Sequence, residues 1–181
     1  VSLARTGRVV ACAIGVGLLC LIAVPVAGST TSRAGVRKVS SLETELLREI
    51  NSVRADHNLQ PLKRSRQLAA AAGSHSRAMA TQGFFAHNSS DGTVFWSRIE
   101  RFYASSGYRY WSVGENLVWA APDLTAAEAV DQWLQSAPHR ANLLSPRWRE
   151  IGLAAVHADS APGAYGNQAA TIVTADFGVR R

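Results

Sequence analysis

The sequence predicts an α+β fold, and three observations carry that expectation. Helical apolar spacing dominates the first part of the folded region, two strand-like runs close it, and no stretch of sequence repeats. The closing runs, residues 151–158 and 169–179, flank a polar loop holding Pro162, Gly163 and Gly166, as the arms of a hairpin do.

The N-terminus reads as an appendage. Arg5 and Arg8 precede an uncharged apolar run from Val9 to Ala27, which ends in the small residues Ala27, Gly28 and Ser29. That is the layout of a secretory signal over residues 1–28, cleaved after Gly28. The alternative is an uncleaved membrane anchor, since the run is just long enough to span a bilayer, although Pro25 and its glycines weaken it. Cys12 follows Val9, Val10 and Ala11, a faint lipoprotein box with no apolar core ahead of it. Residues 29–41 are polar and basic without apolar period and read as a disordered tether. Cleavage would leave a mature chain of roughly 150 residues, enough to bury about 70% of its unfolded surface, with the folded domain expected over residues 42–181.

Within the domain, Ser40 and Glu43 suggest a capping box, after which Leu46, Ile50 and Val53 recur at helical spacing to about His57. Pro61 breaks the chain. A second helix is expected over residues 65–82, with Leu68, Ala72, His75 and Met79 along one side and Gly83 as its stop. The turn-forming segment FFAHNSSDG at residues 84–92 positions His87, and Phe95, Ile99 and Phe102 then mark a short amphipathic helix. Residues 113–119 read as a strand with Glu115 inside it, and a carboxylate in an apolar strand needs a partner. Thr125 and Glu128 form a second capping box, opening a helix with Ala129, Val130 and Trp133 inward. Pro138 should stop this helix near Ser136 and leave His139 on irregular backbone clamped by Trp133 and Trp148.

Bulk chemistry narrows the function classes. Both cysteines, Cys12 and Cys20, lie in the leader, so the domain has neither disulfides nor a thiol nucleophile. The formal charge of +6 falls by two without Arg5 and Arg8, and the remaining basic residues are scattered, which argues against nucleic acid. No glycine-rich phosphate loop occurs, which argues against nucleotide chemistry. A G-x-S-x-G elbow and a paired-histidine zinc-protease helix are missing as well, so Ser136 beside His139 is a poor nucleophile candidate. His75 reads as a core histidine, while His57 and His157 near element ends read as solvated. The sequon at Asn88 to Ser90 matters only in a eukaryotic host.

Taken in order, Asn51 and Arg54, Pro61–Leu62, HSRAM at 75–79, FFAH at 84–87, GENL at 114–117, PHRANLL at 138–144, REIG at 149–152 and DFG at 176–178 closely resemble the CAP superfamily. Its members include cysteine-rich secretory proteins, venom antigens, pathogenesis-related proteins and bacterial SCP-domain proteins. The resemblance covers residues 42–179 and implies a three-layer α-β-α sandwich with a small, mostly antiparallel sheet. It also implies a cleft in which His87, Glu115 and His139 bind a divalent metal such as Zn²⁺, weakly because Gln135 and Ser136 stand where many relatives carry a second glutamate. Two imidazoles and a carboxylate are a catalytic-type zinc set. Asn116 and Ser136 are candidate supports of that cleft, and the bland alternative is that Glu115 merely rigidifies the loops.

The expected function is a secreted or envelope module that binds a protein, lipid or cell-wall component without enzymatic turnover. One alternative is a metal-dependent hydrolase with Glu115 as general base. Another is a lipid carrier. Nucleic acid is not an expected partner, and the membrane is one only through an uncleaved leader.

Overall fold

The computed structural model describes residues 35–181, and the expected leader lies outside the described residues. In chain order the elements are β1 (Val36–Lys38), α1 (Ser40–Asp56), β2 (Lys63–Arg64), α2 (Arg66–Gln82), α3 (Phe95–Glu100), β3 (Trp111–Ala120), α4 (Ala126–Gln135), α5 (Ala137–Leu143), β4 (Glu150–Ala161) and β5 (Gln168–Arg180). The sheet runs β1-β4-β5-β3, with β2 alongside β4. Its pairings are antiparallel except for the short parallel β2–β4 contact.

Side-chain parity along the strands divides the helices into two layers. Leu153, Ala155, Val173, Ala175 and Phe177 face α1, α4 and α5, packing with Leu46, Ile50, Val130 and Trp133. The alternate residues face α2: Met79 packs with Val156 and Ile172, and Ser76 bonds the Thr174 hydroxyl at 2.8 Å. The result is the expected three-layer sandwich. α2 lies very close to the sheet at Gly152, where an added Cβ would fall 2.0 Å from the backbone carbon of Leu68. Among the described residues no helix is long and apolar enough to cross a membrane.

Several local expectations are corrected. Residues 36–38 of the supposed tether pair with β4, so ordered structure begins before residue 42. Ser40 is the first residue of α1 and caps nothing; Glu43 points inward, buried, where Lys38 and Arg64 approach at 3.0 and 2.9 Å and the Ala155 N–H donates. Two cations and a buried donor outcompete a solvent-exposed cap. α3 ends at Glu100, leaving Phe102 at the surface, and Tyr103 fills the inward place. His157 is buried, not solvated, with Nδ1 3.0 Å from the Thr171 hydroxyl.

The capping box at Thr125 and Glu128, the left-handed Gly83 at the end of α2, and the β4–β5 hairpin agree with the sequence reading. His75 is a core histidine, its Nε2–H donating to Ala86 O at 2.9 Å.

Candidate functional site

The site forms where the two helical layers meet along β3, the edge strand. His87 comes from the segment after α2, Glu115 from β3, and His139 from α5. His139 departs from expectation: α4 ends at Gln135, Ser136 turns the chain in extended conformation, and α5 starts at once, placing His139 in its first turn. Pro138 is tolerated there because the first N–H groups of a helix need no intrahelical acceptor.

Glu115 is the centre of charge. Its side chain is 1% exposed, yet His87 Nδ1–H donates to Oε1 at 2.8 Å and Arg98 of α3 donates to Oε2. A carboxylate only accepts, so this bond fixes the His87 tautomer and leaves Nε2 as its second nitrogen. Burial works against the charge on Glu115, but His87 and Arg98 outweigh it and the pKa is lowered. Arg98 also reaches Asp176 on β5, at 3.9 Å, directly across the ladder from Glu115. Asp176 is fully buried, and among the described residues neither of its oxygens has a hydrogen-bond donor. Burial first, then the Glu115 charge, raise its pKa well above the usual carboxylate range, favouring the neutral acid.

His139 lies beside His87 with ring centroids 6.3 Å apart. Its pKa is lowered by burial and then by His87. Asn116 holds it from behind, donating to His139 O at 3.0 Å and accepting from Asn142, which also bonds Glu115 O. Asn116 therefore ties α5 to β3 and does not orient the Glu115 carboxylate. The Ser136 hydroxyl makes no capping bond; it lines a second cavity of about 290 Å³ with Phe85, Trp119, Trp133 and His139.

The cleft itself is a cavity of about 340 Å³. Phe95, Val113, Pro138 and Trp148 form its apolar wall, and Arg147 stands at it with the guanidinium 4.5 Å from the Trp148 ring centroid. The expected three-ligand metal site does not fit this arrangement. Both Glu115 oxygens are engaged, and among the described residues no three His, Cys, Asp or Glu side chains stand where they would hold one ion. Two imidazoles remain, one short of the protein ligands of a catalytic zinc.

Arg98 and Asp176 are the site members that sequence reasoning missed. The rule that singled out Glu115, a carboxylate inside an apolar strand, applies equally to Asp176.

A family model described as the cysteine-rich secretory protein family, CAP, matches residues 47–177. The chain belongs to the CAP family. YkwD of Bacillus subtilis, described as uncharacterized, is 29% identical to this CAP chain over 132 residues, which is 73% of the chain and 49% of YkwD. An extracellular SCP-domain protein from Bacillus anthracis matches with a TM-score of 0.60 at 26% identity, covering 78% of the CAP chain and 41% of that protein. An outer surface protein from Borrelia burgdorferi shares the fold, with a TM-score of 0.64 at 20% identity over 81% of the chain and 100% of its own. The CAP chain is of the bacterial type and spans about half the length of the two Bacillus relatives or less.

Proposed function

We propose that this CAP domain is an extracytoplasmic binding module that holds a ligand in the His87–His139 cleft without turning it over. The observation that carries the reading is the state of Glu115. A general base needs a carboxylate free to reach water or substrate, whereas Glu115 is buried with one oxygen on His87 and the other on Arg98. The histidines lack a partnered nucleophile as well, since among the described residues no serine or threonine hydroxyl bonds either ring at the cleft. The Bacillus anthracis relative described as extracellular supports the location.

The test incubates the protein with solubilised envelope fractions and cell-wall peptides, following retention and turnover together. Retention that weakens in His139→Ala with no product formed is the expected result. Turnover that disappears in both His87→Ala and His139→Ala, with the fold intact, would overturn the reading in favour of a hydrolase. Zn²⁺ titration is expected to show no saturable site that depends on both histidines.

A further inference from the structure

We propose that the His87–His139 cleft receives the carboxylate of an organic acid, seated on Arg147, with an apolar body against Phe95, Val113, Pro138 and Trp148. This rests on the reading of the cleft as a binding site and names its ligand class.

The charge balance of the lining leads there. Among the described residues Glu115 is the only acidic one lining the cavity, and its charge is spent inside the protein on His87 and Arg98. Asp176, behind it, does not line the cleft. The polar functions left are the Arg147 guanidinium, the Trp148 indole, the Asn142 amide and the two imidazoles. Arg147 is exposed; among the described residues its guanidinium group bonds only the Ser145 hydroxyl, through Nε at 3.1 Å, and has no carboxylate partner. Trp148, 1% exposed in the same wall, carries an indole N–H with no acceptor among the described residues. The Asn142 amide is already occupied by Glu115 O and Asn116.

The free guanidinium set against apolar walls complements an acceptor-bearing anion with an apolar body. Its single fixed positive charge suits a carboxylate better than a phosphate dianion, for which proteins gather several cations or a backbone nest. The stacking of the guanidinium over Trp148 holds its planar fork in place, which lowers the entropy cost of binding. A volume of about 340 Å³ falls in the range of small-molecule sites, so the body is compact: a small aryl or alkyl acid, or the last residue of a peptide.

The experiment titrates the full chain with 4-phenylbutyrate and its amide, and with a short leucine-terminated peptide carrying a free or an amidated C-terminus. The expected result is that at least one acid binds saturably and about tenfold or more tighter than its amide. Which pair shows the difference identifies the source of the carboxylate. Arg147→Met is expected to abolish the discrimination. Arg147→Lys, which keeps the charge and loses the fork, is expected to retain part of it, and circular dichroism checks that both variants fold.

Acid and amide binding alike, discrimination that survives Arg147→Met, or no binding of either acid would each overturn the carboxylate assignment. Envelope material still retained through His139 in that case would leave the binding reading standing, and turnover of that material would remove it independently.

Discussion

Arg98 is the side chain on which the buried charges depend. Remove its guanidinium and Glu115 keeps only His87, while Asp176 has no cation near it. Arg98→Met should therefore cost about 3–5 kcal/mol, the range for breaking one partner out of a buried ion pair, read as a lower urea midpoint. Asp176 gives the opposite sign. Because its folded pKa is raised, the native state binds more protons than the unfolded chain between the two pKa values, and stability falls as pH climbs through that interval. Asp176→Asn removes this dependence, so the variant should be more stable than the parent near pH 7, with the gain vanishing toward about pH 4. Denaturation curves across pH check it, and a gain that grows on acidification would contradict the assignment. Glu115 and His139 were legible from short motifs, and the need of Glu115 for a partner followed from its strand. That the partner is Arg98 was not legible, because a lone arginine on a short amphipathic helix looks solvated until β3 and β5 are placed beneath it.

Elements position the site through a few close contacts. α2 meets β4 at Gly152 with no room for a methyl group, so Gly152→Ala should exceed the roughly 1–3 kcal/mol usual for overpacking and largely unfold the protein. Thermal denaturation decides this. On the other layer, Asn116 carries the α5–β3 connection. Asn116→Ala leaves the half-buried amide of Asn142 and the carbonyl of His139 short of a partner and should cost about 1–3 kcal/mol, with weaker cleft binding as α5 drifts. Element existence was readable because apolar periods of helix and strand are local. The α4–α5 junction was misread because Pro138 stops a helix or starts one with equal ease, and what decides is the packing of Leu143 and Trp148 against the sheet.

At the scale of the molecule, the sheet protects the β4 edge with only two short strands, β1 and β2. A chain starting at residue 39 would expose the ladder groups of Val156 to Ala158 and take Lys38 from Glu43. It should self-associate, as bare edges do, and analytical ultracentrifugation against the full chain would show it. The strand order also sets a timetable. β3 and β4 do not pair with each other; each pairs with β5, the last strand of the domain, which runs between them. During synthesis the sheet therefore has no centre until residues 168–180 have emerged, and Asp176 arrives with them. Up to that moment β3 has no ladder partner and Glu115 nothing across from it, so the half of the site built on β3 is completed by the strand made last.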